Sequence, residues 1–269
     1  AAAARNWDVR INTNRLAAGR ELRETLQHLS LETSGIIYLA EPLTETDLAS
    51  LQGYRRPLVL TKSALPESAD ATALGLPVVG VDNLSGAKAA ASLLVQLGHR
   101  RIGLLLGPRG ARDAEERRQG YLEVLTGAGL VPRAEWIATG SFSVEAGREA
   151  VGQMWEAAER PTALCCASDE IAFGALDAAR ARGIRCPEDL SVVGFDDGPW
   201  ATLSRPRLTT VRQPLADLAE RAVGMIVEAA TNPAIGPRSA HTAVPAALVM
   251  RESTVAWRGD GPSAPNVAV

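Results

Sequence analysis

Short runs of β-branched and aliphatic residues alternate with longer helical segments along this chain, and this alternation limits the fold more than any other feature. The runs predict strands at residues 36–39, 58–61, 78–81, 102–106, 163–166 and 192–195. Between them, apolar residues recur every three or four positions, as at Leu22, Leu26 and Leu29, which is typical of amphipathic helices. Strands separated by helices predict an α/β protein built on parallel sheets.

The number of these strand-and-helix pairs exceeds what one five-stranded sheet requires. The 269 residues, of which 46% are hydrophobic, are enough to fill more than one core. No flexible Gly/Ser linker separates the pairs into two groups. We therefore expect two sheets that form two closely coupled lobes, with the chain crossing between them.

Residues at helix ends support this interpretation. Thr44 and Asp47, which follow Pro42, have the spacing of a capping box. Glycines stand where three helices should stop, at Gly98, Gly129 and Gly183.

The two ends of the chain differ from this regular pattern. Residues 1–6 resemble the end of a helix and residues 7–13 a strand, so no strand precedes the first helix, and we expect the chain to start inside the domain. A last helix is predicted at 215–230, followed by a loop rich in Pro, Gly and Ser. Residues 255–269 are expected to form a tail, the last part of it disordered.

Charge and cysteine content narrow the functional classes. The 28 Lys and Arg residues against 31 Asp and Glu residues give a net charge of −3, so this chain by itself should bind DNA weakly or not at all. Its three cysteines, Cys165, Cys166 and Cys186, form no disulfide framework, which favours a reducing, cytoplasmic setting. No signal peptide and no membrane-spanning segment is predicted.

Enzymatic motifs are not predicted. The turn at Gly107–Gly110 lacks the Gly-Lys-Ser/Thr ending of a P-loop and the three glycines of a dinucleotide site. His28, His99 and His241 are interpreted as surface or capping residues, His241 within the Pro-rich loop. No His or Cys pair has metal-ligand spacing apart from two adjacent cysteines in a predicted strand, so neither a metal nor another cofactor is expected.

Two acidic segments follow predicted strands. Asp196 and Asp197 end the run at 190–195, and Ser168 and Asp169 follow the run at 163–167. In open α/β sheets, ligands bind beyond the carboxyl ends of the strands, where a carboxylate can accept hydrogen bonds from hydroxyl groups. A turn or a helix cap is the alternative role for each segment.

Several motifs in fixed order resemble those of LacI/GalR-family transcriptional regulators. These are Gly80-Val81-Asp82-Asn83 with Gly86, residues 97–102 (LGHRRI), residues 116–121 (ERRQGY), Ser168-Asp169-Glu170 with residues 172–176, residues 192–197 (VVGFDD), residues 208–214 (LTTVRQP) and residues 248–254 (LVMREST). Each motif alone is weak, but the ordered set over 76–254 is highly specific.

The resemblance implies a two-lobed fold like that of periplasmic sugar-binding proteins (type I), with three crossovers and an effector in the cleft. It assigns residues 1–81 and 214–236 to the N-terminal lobe, and residues 82–213 and 237–254 to the C-terminal lobe. A DNA-binding helix-turn-helix headpiece is expected to precede residue 1 in the full regulator. A homodimer would then match two operator half-sites.

Effector-binding residues follow by position in these motifs. The resemblance points to Asp196, Arg117, Ser168 and Phe142 as ligand contacts, and it places Asp82 and Gln213 at crossovers where hinge residues can touch ligand. Outside the motifs, Glu41 and Lys62 follow predicted strands and are added on position alone. For Arg117 the alternative is a solvated helix charge, for Phe142 a loop anchor, and for Glu41 and Lys62 exposed surface charges.

The resemblance therefore implies a non-catalytic sensor in which an effector, expected to be a sugar or a related metabolite, changes DNA affinity allosterically. The alternative is a solute-binding protein of a sugar ABC transporter, which would share the fold. An enzyme that uses the same lobes is a further alternative.

Overall fold

The alternating strands and helices form two sheets in the computed structural model of the chain. The structure describes residues 2, 7–11, 20–39, 43–66, 75–232 and 241–259. In chain order the elements are α1 (Arg20–Glu32), β1 (Ile36–Tyr38), α2 (Glu45–Ser50), β2 (Leu58–Thr61), β3 (Val78–Asp82), α3 (Asn83–Gln96), β4 (Ile102–Leu106), α4 (Arg112–Gly127), β5 (Ile137–Thr139), α5 (Val144–Met154), β6 (Ala163–Cys166), α6 (Asp169–Ala181), β7 (Ser191–Asp196), α7 (Pro199–Leu203), β8 (Thr209–Arg212), α8 (Leu215–Thr231), β9 (His241–Pro245) and β10 (Ala247–Val249). The six predicted strands are all present, with ends that differ by no more than one residue.

The first unit contains three segments of the chain, Ala1–Gly86, Pro108–Arg117 and Gln213–Ala247. Its sheet has the strand order β1-β2-β3-β9, and every neighbouring pair is parallel.

Helices cover both faces of this sheet because its central strands carry apolar residues at consecutive positions. Leu58 and Leu60 point to the face that packs against Leu22 and Leu26 of α1. Val59, which points the other way, packs against residues of α8. Successive side chains of a strand alternate between faces, so a continuous apolar run is needed where both faces are covered.

The second unit contains Ala87–Gly107, Arg118–Arg212 and Leu248–Val269. Its sheet has the order β10-β8-β7-β6-β4-β5, and the pairs from β8 through β5 are parallel. Leu164, Cys166 and Val192 form part of a core cluster with apolar residues of α5 and α6. The α/β, mostly parallel architecture that the sequence predicts is thus confirmed.

The division of the chain differs from the predicted lobe boundaries at residues 82–86, 108–117, 213 and 237–247, which all belong to the first unit. Strand β9 lies in 237–254, the segment assigned to the C-terminal lobe, but it pairs with β3 of the first unit from Val78↔His241 to Asp82↔Pro245. The first turns of α4 also belong to the first unit. These corrections depend on contacts between residues distant in sequence, which a local pattern does not encode.

The predicted strand at 7–13 is wrong for residues 7–11, which lie outside every strand, and residues 12–13 lie outside the described part of the chain. Instead of joining a ladder, Trp7 packs against a cluster that includes Val59, Val79 and Ile226. The predicted last helix is present as α8. Residue 2, the one described residue of the predicted helix end at 1–6, lies in no helix. Residues 1 and 3–6 and the last ten residues lie outside the described range.

Two histidines do not lie where the sequence analysis placed them. His99 is fully buried, not a surface or capping residue, since its ring nitrogens lie 3.0 Å from Thr162 Oγ1 and 3.0 Å from the Val255 carbonyl oxygen. Burial lowers the pKa of His99, although the bond to Val255 opposes this shift. His241 begins β9 rather than lying in a loop.

The predicted helix ends are confirmed. Gly98, Gly129 and Gly183 have φ values of 87°, 70° and 70°, in the left-handed region that glycine enters without steric cost. Thr44 and Asp47 form a capping box at the start of α2.

Thr44→Ala is expected to lower the free energy of unfolding by about 1 kcal/mol, as is typical for a lost N-cap. Thr44 Oγ1 accepts a hydrogen bond of 3.1 Å from the Asp47 amide, and Asp47 Oδ2 accepts one of 2.8 Å from the Thr44 amide. Urea denaturation measures the loss. Thr44→Ser keeps the hydroxyl and should retain nearly all of the stability, whereas equal losses in both variants would contradict the capping role.

The cysteines of β6, Cys165 and Cys166, are buried free thiols, as the sequence predicts for core strand residues. Burial raises the pKa of both thiols, so they remain protonated. In the part of the chain that the structure describes, we find no helix with both the length and the apolarity to span a bilayer.

Candidate functional site

The carboxyl ends of three neighbouring strands in the second unit carry a group of polar residues. In the order β8-β7-β6, these strands end at Arg212, Asp196 and Cys166. Ser168 and Asp169 follow β6 within three residues. Because parallel strands bring their carboxyl ends to one edge of the sheet, these side chains lie where open α/β sheets bind ligands.

The backbone turns sharply at the end of β7. Asp196 and Asp197 have φ values of 124° and 59°, in a region that non-glycine residues rarely adopt and that costs about 1–3 kcal/mol per residue. Surrounding contacts must hold this turn in place, and such strain clusters at binding sites.

Asp197 supplies one of these contacts. Its carboxylate is almost buried, with 7% of the side chain exposed, and it accepts hydrogen bonds from Arg212 Nε at 2.6 Å and from Arg251 Nη2. Burial raises the pKa of Asp197, but the hydrogen bonds and charges of the two arginines outweigh it, so the pKa lies below its ordinary value. This carboxylate therefore holds the turn, while its neighbour Asp196 remains half-buried at the edge of the sheet.

Asp169 supplies a second contact that holds this turn. Its side chain is buried, and its two oxygens accept hydrogen bonds from Thr210 Oγ1 at 2.5 Å and from the Gly198 amide at 2.9 Å. It thereby connects the start of α6, the turn after β7 and strand β8.

The pKa of Asp169 is raised to about 7. Burial is the main cause, and the negative charges of Asp196 and Asp197 add to it, while the bonds from Thr210 and Gly198 act in the opposite direction. A carboxyl group that titrates near neutrality beneath a strained turn is a common feature of functional sites. In the sequence, its only signal is an acidic residue directly after a strand, which is equally compatible with a helix cap.

Ser168 is the N-cap of α6. Its hydroxyl oxygen accepts a hydrogen bond of 3.2 Å from the Ile171 amide, and the residue is buried. The capping role considered in the sequence analysis is therefore present, and the hydroxyl hydrogen is still available to donate to a ligand.

A second group of polar residues lies in the first unit, where β2 and β3 end next to the start of α4. Arg117 is buried, and its Nε donates a hydrogen bond of 2.9 Å to Asn83 Oδ1. Asn83 Nδ2 in turn donates one of 2.9 Å to Asp113 Oδ1. Arg117 is thus no solvated helix charge but part of a buried polar network.

Lys62 also belongs to this group. Only 11% of its side chain is exposed, and its Nζ lies 2.8 Å from Glu116 Oε2. The side chain passes directly over Gly80, where a Cβ atom would lie 2.2 Å from the Lys62 Cβ. The alternative of an exposed surface charge is therefore wrong for Lys62. Its partner Glu116 and the neighbouring Asn83 were not identified as site residues, because their roles depend on contacts between distant segments.

Two further predicted site residues, Asp82 and Gln213, lie directly at the ends of strands. Asp82 Oδ1 accepts a hydrogen bond of 3.0 Å from the Ser85 amide, so it caps the start of α3. Gln213 is partly buried directly after β8. Glu41 lies outside the described residues.

Phe142 follows β5, with 36% of the residue exposed. In the order β7-β6-β4-β5, this strand lies three positions from β7. At about 4.8 Å per strand, this corresponds to roughly 14 Å across the sheet. The structure therefore brings Ser168 and Asp196 to the ends of neighbouring strands and Lys62, Asp82 and Arg117 to another shared edge, whereas the strand before Phe142 lies three positions from β7.

These two groups offer charged and neutral hydrogen-bonding side chains. Carboxylates accept from hydroxyl groups, and a guanidinium donates in a fixed planar geometry. Among the described residues, no cluster of three or more His, Cys, Asp or Glu side chains could hold a metal ion. Each group by itself offers hydrogen-bonding partners that suit a polyhydroxylated ligand.

A family profile described as a periplasmic binding protein-like domain matches residues 91–254. The repressor CytR of Escherichia coli (strain K12) is 35% identical over 208 residues, which are 77% of this chain and 59% of that protein. The chain thus spans about three fifths of the length of that curated relative.

Solved structures agree with this match. A transcriptional regulator CelR–cellobiose complex superposes with a TM-score of 0.77 at 28% identity, over 93% of this chain and 75% of that one. A lac repressor dimer bound to operator and the anti-inducer ONPF superposes with a TM-score of 0.77 at 26% identity, over 95% of this chain and 86% of that one.

Proposed function

Because this chain belongs to the family of periplasmic binding protein-like domains, in the form that LacI/GalR regulators carry, we propose that it is the effector-binding part of a transcriptional regulator. The observation that carries the proposal is the polar edge formed by the ends of β6, β7 and β8. There, Asp196 is part of a strained turn that Asp169 and Asp197 hold in place. A turn supported in this way presents a carboxylate in a fixed position, which lowers the entropic cost of binding.

The proposed effector is a sugar or a related polyhydroxylated metabolite. Asp196 accepts hydrogen bonds from ligand hydroxyl groups, and Ser168 is a smaller polar partner on the neighbouring strand. Arg117, Lys62, Asp82 and Gln213 are proposed as further effector contacts. One relative with a similar fold is described in complex with cellobiose, which supports a carbohydrate ligand for this chain.

Phe142 and Glu41 have weaker support as contacts. Phe142 lies in the loop after β5, a strand about 14 Å across the sheet from β7, and is proposed to reach the effector from that loop. Glu41 stays in the proposal on its position after β1 alone.

Regulation is proposed to be allosteric. An effector changes DNA affinity only to the extent that it binds two conformations of the protein with different affinities. This chain carries a net charge of −3, so operator contacts are assigned to a helix-turn-helix headpiece in the longer protein. A lac repressor structure with this fold is a dimer on its operator, which supports a cytoplasmic homodimer here.

The two alternative functions have less support. The similar proteins named above are transcriptional regulators, which favours regulation over a role as the solute-binding protein of a transporter. We propose that the protein releases the effector without converting it chemically. Chromatography of ligand recovered after incubation with the protein tests this directly.

Isothermal titration calorimetry against monosaccharides, disaccharides including cellobiose, nucleosides and nucleobases is the experiment that tests the proposed function. We expect at least one sugar to bind with a 1:1 stoichiometry. Binding of a nucleobase in preference to every sugar would reassign the effector class.

Asp196→Ala is then expected to weaken binding of the identified effector about 100-fold, because two hydrogen bonds to a charged carboxylate are lost. Asp217→Ala, which removes an exposed carboxylate on α8, is the matched control and should bind normally. Circular dichroism establishes that both variants fold. Unchanged affinity in Asp196→Ala would remove Asp196 from the site.

A further inference from the structure

A cavity of about 380 Å³ opens at the amino edge of the six-stranded sheet in the second unit. This edge is opposite the one that carries Asp196. The walls come from segments that precede β4, β6 and β7, from the ends of α5 and α6, and from the segment after β10. The residues that matter for its chemistry are Arg101, Trp155, Arg160, Arg182, Asp189 and Trp257. We call this space the amino-edge cavity.

Positive charge dominates the amino-edge cavity. Three of its residues are arginines, and Asp189 is the carboxylate that lines it. Asp189 is already bound, since its Oδ2 accepts hydrogen bonds from Arg185 Nε at 2.7 Å and from the Arg185 amide at 2.9 Å. In the described part of the chain, no ion pair engages Arg160 or Arg182. Arg160 and Arg182 therefore bring to the cavity two guanidinium groups that no carboxylate of the described residues pairs with.

Flat apolar surface accompanies this charge. Trp155 caps the end of α5, and Trp257 is held by a 2.7 Å hydrogen bond from its amide to the Leu97 carbonyl oxygen. The guanidinium carbon of Arg101 lies 5.8 Å from the centre of the Trp257 ring, within the range of a cation–π contact. Arg101 Nε also donates to the Arg160 carbonyl oxygen at 3.0 Å. One arginine and one indole are thus held in fixed positions at the cavity wall.

Helix capping accounts for only part of this arrangement. Arg182 is the C-cap residue of α6, and its Nη1 donates to the Ala178 carbonyl oxygen at 3.3 Å, as expected for a cation at a helix C-terminus. This contact uses one of five guanidinium donors. Arg101 and Arg160 lie in segments that precede strands, where no helix end requires a positive charge.

We propose that the amino-edge cavity binds a small planar aromatic anion, with its ring against the tryptophans and its anionic group on the arginines. Indole rings favour stacked or edge-to-face aromatic contacts. Guanidinium groups bind carboxylate and phosphate groups through paired hydrogen bonds. The volume lies within the range of small-molecule pockets. The proposal is independent of the effector at the opposite edge.

Naphthalene-2-carboxylate is a suitable probe, since it combines the ring and the charge. Naphthalene-2-carboxamide keeps the ring without the charge, and acetate keeps the charge without the ring. In calorimetry at low ionic strength, which preserves electrostatic attraction, we expect the carboxylate to bind at least tenfold more tightly than either comparison compound. Equal affinity of the carboxylate and the carboxamide, or no binding of the carboxylate, would overturn the proposal.

The double variant Arg160→Gln with Arg182→Gln should bind naphthalene-2-carboxylate at least tenfold more weakly than the wild type does. Arg180→Gln is the matched control, because Arg180 is an exposed arginine of the same helix that pairs with Asp177 and does not line the cavity. Thermal unfolding verifies that both proteins are folded. An equal loss of affinity in the control would show that binding depends only on the general surface charge, and the proposal would fail.

Discussion

Asp169→Asn is expected to remove a pH-dependent component of stability that amounts to about 4 kcal/mol between pH 4 and pH 8. The ordinary pKa of the carboxyl group is 3.8, and in the folded protein it is raised to about 7. A raised pKa means that the folded state holds the proton more tightly than the unfolded state. The stabilisation is therefore complete below about pH 4 and is lost as the pH rises to about 7. Three pKa units correspond to about 4 kcal/mol.

Urea denaturation of the wild type and of Asp169→Asn at several pH values measures this component. Relative to the variant, the wild type should lose stability as the pH rises, because asparagine does not titrate. Asp177→Asn on the same helix is the matched control. Hydrogen bonds from Arg148 and Arg180 lower the pKa of Asp177, so its contribution is lost as the pH falls, and its difference curve should slope the opposite way. A flat difference curve for Asp169→Asn would show that its pKa is not raised.

Gly174→Ala is expected to destabilise the protein by about 3 kcal/mol or more. Helices α5 and α6 approach so closely that a Cβ atom at position 174 would lie 1.9 Å from the Val144 carbonyl oxygen. The obstacle is backbone, which cannot rotate away as a side chain can. Overpacking in a core costs about 1–3 kcal/mol when the neighbours can adjust, and here a whole helix must shift. Thermal or urea denaturation measures the loss.

Gly224→Ala is the matched control. Gly224 also lies inside a helix, α8, but a Cβ atom at this position would meet no heavy atom within 4 Å beyond its own helix backbone and chain neighbours. There the substitution should be neutral or should stabilise by up to about 1 kcal/mol, because alanine has the higher helix propensity. If both variants changed stability in the same direction and by a similar amount, the close contact of α5 and α6 would be refuted.

The candidate site was predicted only where the chemistry follows directly from local sequence. Asp196 and Ser168 could be placed at the carboxyl edge of a sheet because each directly follows an apolar run. The supporting roles of Asp169 and Asp197 could not be predicted, since their partners Thr210 and Arg251 lie 41 and 54 residues away in the chain. Phe142 was grouped with Asp196 by resemblance, and the strand order places the strands that precede them three positions apart.

The alternation of strand-forming and helical segments by itself determined the α/β class, the position of the central strands and several helix caps, because periodicity and capping are local properties of the backbone. Only the tertiary structure decided that β9 returns to the first sheet beside β3. It alone buried His99, Lys62 and Arg117. Strand order and the pairing of buried polar groups depend on contacts between distant residues, and no local period carries that information.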